Sequence, residues 1–385
     1  MARIALVGGL GDVVAKVRGT LLRTLRDAGH EVIVSVPLPA TEVRAEVEAE
    51  LGSLGCRIDW SPLDRAGTNP WRERRLARHY GRLFLATRPD AVLAYNPKPI
   101  FHALPAARRA GVPRTAALVT GLGFAFTHRS PRARLLAWAA TRWYRRALRC
   151  ADAALFQNPD DAVEFHRRGL LPPGLAVTAL PGVGVDLGHF APCPPAAESD
   201  RPEFLYLGRI LADKGIRELV AAAGILRAEG RSFRLRLVGP LDVNPSAITR
   251  AELESWCLEG VLAWDGRASD VRPALAACRA LVLPSYREGF PNAAAEAMAS
   301  ARAVIATDVP GCRDAVVPGV TGLLVPPRDA GGLAAAMRQL LADRELAIGM
   351  GEAGRRRAEE RFDARRVDRL ILAALGLELD SRRDR

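Results

Sequence analysis

A chain of 385 residues is about two to three times a typical domain of ~150 residues, so two domains with separate cores are expected and small disulfide- or metal-stapled modules are excluded. Hydrophobic residues at 49% and charged residues at 25%, with 34 glycines and 27 prolines, are ordinary for a folded chain and exclude wholesale disorder. The net charge of +12 comes from 55 basic and 43 acidic residues; only Lys16, Lys98 and Lys214 are lysines, so the excess is almost wholly arginine, which permits an anionic partner without naming one.

Six cysteines, Cys56, Cys150, Cys193, Cys257, Cys278 and Cys312, lie far apart with no paired spacing. That pattern fits buried thiols in a reducing compartment rather than a zinc or iron-sulfur site. The first eight residues, MARIALVG, already read as a strand, which leaves no room for a signal peptide. The longest mostly apolar stretch, 115–126, is broken by Thr120, Gly121 and Gly123 and falls short of the ~20 residues that span a bilayer. A cytoplasmic protein is expected, soluble or peripheral on the inner face of the cell membrane.

In chain order, 4–8 (IALVG) reads as an apolar strand, 12–28 as a helix ended by Gly29-His30, and 31–37 (EVIVSVP) as the next strand, a β-α-β unit. Further strands at 91–94, 115–119 and 153–156 make residues 1–187 one parallel α/β domain. The 188–202 segment (GHFAPCPPAAESDRP) holds four prolines and reads as a linker. A second alternation then fills 203–360: strands at 204–208, 234–238, 261–264, 280–283 and 303–306, with helices at 214–229, 269–278, 292–300 and 329–341. The tail, 361–385, belongs to a basic helix over 354–375 that ends at Gly376 and packs back towards the N-terminal domain. Its Arg355, Arg356, Arg357, Arg361, Arg365 and Arg366 read as a wet face above Phe362, Val367, Leu370 and Ile371. Two α/β domains joined by a hinge suggest a ligand in the cleft between them, near the C-terminal ends of the strands.

The glycine-rich turn Val7-Gly8-Gly9-Leu10-Gly11-Asp12 invites a dinucleotide reading, but the third glycine position is Val14 and the second strand ends in Ser35 and Pro37 rather than a carboxylate. Ligand contact through its amides and simple tight turning both remain open. In the second domain, strand 204–208 runs into Arg209, and Lys214 follows as the next helix begins. A fork of donors and a compact charge suit a diphosphate. Strand 280–283 leads into PSYREGFPNAAAEA, where Glu288 lies in the loop and Glu296 about one turn into a helix. Amides from Gly289 to Ala293 can receive a phosphate and the carboxylates can accept from sugar or ribose hydroxyls. The plain alternative makes Glu288 a turn residue and Glu296 a helix-solvating one.

Arg209 and Lys214 followed by EGFPNAAAEAMA, VIATDVPGCRDAVVPGVTGLLVPPRDA at 304–330 and RFD at 361–363 resemble the retaining, nucleotide-sugar-dependent glycosyltransferases of family 4 over essentially the whole chain. The resemblance implies the α/β GT-B fold, two Rossmann-like domains facing each other across a cleft. It further implies Arg209 and Lys214 on the donor diphosphate, Glu288 on the transferred sugar and Glu296 on the ribose. Gly11, Gly289, Phe290, Pro291 and Asn292 would line the donor, with backbone at Gly266 and Arg267 along the base. NPKP at 96–99, GVPRTAALVTGLGFAF at 111–126, LFQNPDD at 155–161 and PGVGVD at 181–186 resemble enzymes that extend undecaprenyl-diphosphate-linked sugars in bacterial polysaccharide or protein-glycan assembly. Acceptor-side candidates are Gly9, Lys98, Thr120, Gly121 and His128; many relatives carry a histidine where this chain has Thr120-Gly121-Leu122-Gly123.

The expected reaction moves a hexose or N-acetylhexosamine from a UDP-sugar to a lipid-diphosphate-linked saccharide, with no cofactor. No Asp-x-Asp loop presents itself for a metal, and Arg209 with Lys214 can replace one electrically, so metal independence is expected. Partners are then the nucleotide sugar, the lipid-linked acceptor and anionic lipids of the cytoplasmic membrane, with no nucleic acid, since no recognised module accompanies the charge. Segments 71–88 and 129–149 interleave arginines with Trp71, Tyr80, Phe84, Trp138, Trp143 and Tyr144, as interfacial helices do; packing of those aromatics inside the domain is the alternative. A GT-B enzyme with a soluble acceptor and a non-catalytic nucleotide-binding protein stand as the other readings.

Overall fold

The computed structural model describes residues 1–377 apart from 12–13, 65–66, 68, 123–125, 127–130, 197, 200 and 243–246. The chain divides into two compact units, Met1–Val183 with the C-terminal helix from Ala364, and Gly184–Asp363.

In the first unit, β1 (Arg3–Val7), β2 (Glu31–Pro37), β3 (Arg57–Ser61), β4 (Ala91–Tyr95), β5 (Arg114–Val119), β6 (Ala153–Phe156) and β7 (Ala176–Ala179) form one parallel sheet in the order β3-β2-β1-β4-β5-β6-β7. The helices are α1 (Val14–Asp27), α2 (Thr41–Ser53), α3 (Pro70–Thr87), α4 (Pro97–Arg109), α5 (Pro131–Leu148) and α6 (Pro159–Arg167). Strands β1 and β4 are apolar on both faces because each face is covered: Leu21, Leu22 and Leu25 of α1 pack on one, Tyr80, Phe84 and Leu104 on the other. The chain reverses its direction across the sheet between β1 and β4, whose register pairs Ile4 with Ala91. Helices α3 and α6 open on the same device, an asparagine cap followed by proline. Asn69 accepts from Trp71 N at 2.9 Å and Asn158 from Asp161 N at 2.8 Å.

The second unit has the same plan. Its sheet runs β10-β9-β8-β11-β12-β13, from β8 (Glu203–Leu207), β9 (Arg234–Val238), β10 (Ala263–Trp264), β11 (Ala280–Leu283), β12 (Ala303–Thr307) and β13 (Gly322–Val325), all parallel. Helices α7 (Ile216–Ala228), α8 (Arg250–Leu258), α9 (Arg272–Ala277), α10 (Asn292–Ala299), α11 (Cys312–Ala315), α12 (Ala330–Ala342) and α13 (Arg344–Arg357) connect and cover the strands. Here the reversal lies between β8 and β11. The proline-rich 188–202 segment lies along this unit: Cys193 N donates to Ser300 O at 3.2 Å, and the buried Arg302 donates to the carbonyls of Cys193 and Pro194.

Three sequence expectations need correction. The single basic helix over 354–375 is two helices: α13 ends in a π-helical turn at Ala358–Phe362, Asp363 leaves helical geometry, and α14 (Ala364–Ala374) begins afresh. The break has a cause, since Val185 N takes Phe362 O at 2.7 Å and the fully buried Phe362 ring packs at 5.2 Å from Phe290. Nor are all the tail arginines a wet face. Arg355 donates to Ala299 O at 2.8 Å and Arg357 to Ala315 O at 2.8 Å, satisfying the carbonyl ends of α10 and α11. Of the six cysteines, Cys278 and Cys312 are buried and the other four are half-buried.

Candidate functional site

In the second unit the sequence candidates converge at the C-terminal ends of β8 and β11, the place where an open α/β sheet reverses. Gly215 sits at φ 72°, and a Cβ there would lie 2.0 Å from Pro284 O, so only glycine lets the start of α7 approach the end of β11. Tyr286 N adds a bond to Asp213 O at 2.9 Å. This close approach brings Lys214 Nζ to Glu288 Oε1 at 2.6 Å, and Ser285 Oγ, itself buried, donates to the same oxygen at 2.7 Å. Glu288 Oε2 and the remaining two hydrogens of Lys214 have no partner among the described residues. Arg209 stands at the end of β8 with Nη1 on Asp242 Oδ2 at 2.5 Å. Tyr206 Oη donates to Arg209 O at 2.8 Å; burial, reinforced by the negative Glu288, pushes its pKa up and keeps the hydroxyl protonated.

The other donor-side candidates fall around this core. Gly289 follows Glu288, Phe290 and Pro291 are buried, and Asn292 opens α10 half-buried, with no side chain capping that helix. Glu296 is half-buried on the same helix. Gly266 lies two residues beyond β10, where its carbonyl accepts from Gly239 N at 2.7 Å, and Arg267 beside it is exposed. Tyr206, Ser285 and Asp242 escaped the sequence reading. Ser285 was signalled by its place in the same loop as Glu288, whereas Asp242 becomes visible only when β9 is laid beside β8.

In the first unit a second group lies at the ends of β1, β4 and β5. Gly9 N donates to Asn96 Oδ1 at 3.1 Å and Asn96 Nδ2 to Thr120 Oγ1 at 2.8 Å, with Gly121 next in the chain. Asn96 adopts φ 69° to do this. Gly11 is buried, and a Cβ there would meet Pro37 O at 2.2 Å, so the turn needs a glycine here to pack against β2. Lys98 is fully occupied by protein: its Nζ holds Asp64 O, Gly67 O at 2.6 Å and Glu73 Oε1 at 2.6 Å. Glu73, 7% exposed, also takes His102 Nε2 at 2.6 Å. Burial alone would raise its pKa, but the bonds from His102 and Lys98 hold it below the usual carboxylate value. His128 lies outside the described residues.

The aromatic segments divide. Tyr80, Phe84 and Tyr144 are core side chains, whereas Trp71, Trp138 and Trp143 are 74%, 62% and 38% exposed, with Leu135 at 66%. Arg142 lies over Trp138 at 5.4 Å and Arg74 over Trp71 at 5.5 Å. Among the described residues no helix is long and apolar enough to cross a membrane, and no group of three histidine, cysteine or carboxylate side chains is placed to hold a metal ion.

Two Rossmann-like sheets, the second carrying Arg209, Lys214 and Glu288 at its reversal point, define a GT-B protein built for a nucleotide-sugar donor. Comparison with known proteins agrees. Residues 14–181 match the family described as "Glycosyl transferase 4-like domain" and residues 201–343 match "Glycosyl transferases group 1". A GDP-mannose-dependent alpha-mannosyltransferase of Mycobacterium tuberculosis is 30% identical, covering 83% of this chain and 80% of that protein. The N,N'-diacetylbacillosaminyl-diphospho-undecaprenol alpha-1,3-N-acetylgalactosaminyltransferase of Campylobacter jejuni is 27% identical over 99% of this chain and 98% of its own length. The structure of sucrose-phosphate synthase from Thermosynechococcus elongatus superposes with a TM-score of 0.80 at 24% identity, covering 98% of each chain. The chain belongs to the superfamily of family 4 and group 1 GT-B glycosyltransferases, which transfer a sugar from a nucleotide-sugar donor.

Proposed function

We propose that this protein is a retaining, metal-independent glycosyltransferase that moves a hexose or N-acetylhexosamine from a UDP-sugar to a lipid-diphosphate-linked saccharide at the cytoplasmic face of a membrane. The observation that carries the donor half is the Lys214–Glu288–Ser285 cluster beside Arg209. Lys214 keeps two hydrogens and Glu288 one oxygen without a protein partner among the described residues, so the ammonium suits a phosphate and the carboxylate a sugar hydroxyl. Arg209 and Lys214 supply positive charge where the leaving diphosphate gains its negative charge, the task a metal performs elsewhere.

In this reading the bond from the anomeric carbon to the diphosphate oxygen breaks as the acceptor hydroxyl oxygen bonds to that carbon on the same face. The hydroxyl proton passes to the departing phosphate, and UDP leaves. The lipid-linked acceptor is supported by the near full-length likeness to an enzyme whose name specifies an undecaprenol-diphosphate substrate. It is also supported by the exposed tryptophans and arginines of α5, which suit an anionic interface.

The test is product formation from a panel of radiolabelled UDP- and GDP-sugars, offered either undecaprenyl-diphosphate saccharides or the same saccharides free, in excess chelator. Label entering the organic phase, from a UDP-sugar and with chelator present, is the expected result. Transfer to the free sugars alone would reject the lipid-linked acceptor, and activity that returns only with magnesium or manganese would reject metal independence.

A further inference from the structure

Asp242 has no part in the reaction as described so far, yet its carboxylate is only 13% exposed and meets Arg209 Nη1 at 2.5 Å. The two backbone segments that carry this pair are fastened to each other. Gly208 N donates to Val238 O at 3.0 Å and Ile210 N to Pro240 O at 3.0 Å, while Ile210 pairs with Leu241 and Leu211 with Ala247 as isolated bridges. Tyr206 Oη holds the Arg209 carbonyl from beneath. Asp242 is therefore at a fixed place relative to the root of the Arg209 side chain.

Where the carboxylate grips the guanidinium matters. In arginine, Nη1 lies on the same side as Cδ, and of the two edges that offer parallel hydrogens to a pair of oxygens, Nη1–Nη2 and Nε–Nη2, only the second does without Nη1. Asp242 occupies Nη1 and leaves that pair, which has no partner among the described residues. The Arg209 side chain is 40% exposed, so without an anchor it would sample many rotamers.

We propose that Asp242 is a positioning residue that holds Arg209 by Nη1 and so presents its Nε–Nη2 edge to the donor diphosphate. This rests on the reading of Arg209 as a diphosphate ligand. The carboxylate does not compete with the phosphate, because the two bind different edges of one planar group.

Calorimetry with free UDP tests this on the wild type, Arg209→Ala, Asp242→Ala, Asp242→Asn and the Arg209→Ala/Asp242→Ala double variant, each first checked for an unchanged unfolding temperature. Asp242→Ala is expected to weaken UDP by about 10-fold, the effect of a lost charge-assisted hydrogen bond. Asp242→Asn should recover most of that affinity, since the amide oxygen still accepts from Nη1, and the double variant should bind no more weakly than Arg209→Ala alone. Wild-type affinity in Asp242→Ala overturns the proposal, as do additive losses in the double variant. Tighter binding in Asp242→Ala would make the carboxylate a competing anion and overturn it too. If Arg209→Ala itself binds UDP normally, the diphosphate reading falls first and takes this inference with it. Should the alanine variant not fold, Asp242→Ser, whose hydroxyl stops short of Nη1, takes its place with the same expected and overturning results.

Discussion

Under the proposed function Glu288 serves structure and chemistry at once. Oε1 is held by Lys214 and Ser285, which fixes the carboxylate, and under the proposed function Oε2 accepts from a substrate hydroxyl. Glu288→Gln should therefore leave UDP affinity within a few-fold of wild type but lower kcat by about 100-fold or more, the scale of losing one preorganised electrostatic contact. Steady-state rates set beside calorimetry separate the two; parallel losses in both would place Glu288 on the nucleotide instead. Glu73 offers a pH test in the first unit. Its folded pKa is depressed, so the stabilisation it contributes is fully present above the ordinary glutamate value of about 4.3 and disappears as pH falls below that through the folded value. Wild type should lose unfolding temperature between pH 6 and pH 3 more steeply than Glu73→Gln, read by circular dichroism; equal slopes would refute the linkage. At this scale Arg209, Lys214 and Glu288 were legible because each stands in a short loop directly after an apolar strand. The occupation of Lys98 was not, since its partners Asp64, Gly67 and Glu73 come from chain up to 34 residues away.

The elements that sequence patterning finds are those whose strands are buried on both faces, such as β1, β4, β8 and β11, where apolar runs leave no ambiguity. Strand β3 escaped because it is an edge strand with Arg57 and Asp59 in its short run RIDWS. Asp59 is satisfied only in the folded protein, by Ser35 at 2.6 Å and His79 at 2.8 Å. Strand β7, exposed at the opposite edge, carries as little pattern. The division of the tail into α13 and α14 was hidden for another reason: helix-forming residues run through it, and the break is imposed by the long-range pairing of Val185 with Phe362 and Asp363. Helix α14 then buries Val367, Ile371 and Leu372, and the turn that follows it Leu375, in the core of the first unit. Ile371→Ala should cost about 2–5 kcal/mol of that unit's stability, measured by urea unfolding, without changing free UDP affinity. A loss below 1 kcal/mol would mean the helix contributes little to that core.

On the scale of the whole molecule, the excess of arginine over lysine has more than one outlet. Arg302, Arg355 and Arg357 are spent on internal carbonyls, and Arg145 on the carbonyls of Arg168 and Gly169, so net charge overstates what a partner can meet. Arg134, Arg142 and Arg146, exposed on α5 with Trp138, are different. Vesicles of anionic lipid should sediment the protein better than neutral ones. Replacing those three arginines by Gln, together with Trp138→Ala, should release it with UDP binding intact. Sedimentation that is indifferent to lipid charge or to these changes would remove α5 as the membrane contact. The return of the C-terminal helix to the first unit bears on how the protein is made. Residues 184–363 are contiguous and can finish folding as soon as they leave the ribosome, whereas the half synthesised first waits for Val367, Ile371, Leu372 and Leu375 to close its core. The N-terminal half is thus the last to be completed, and a stop codon near residue 363 would release a chain whose lesion is at one end and whose unfinished, chaperone-dependent surface is in the half translated first.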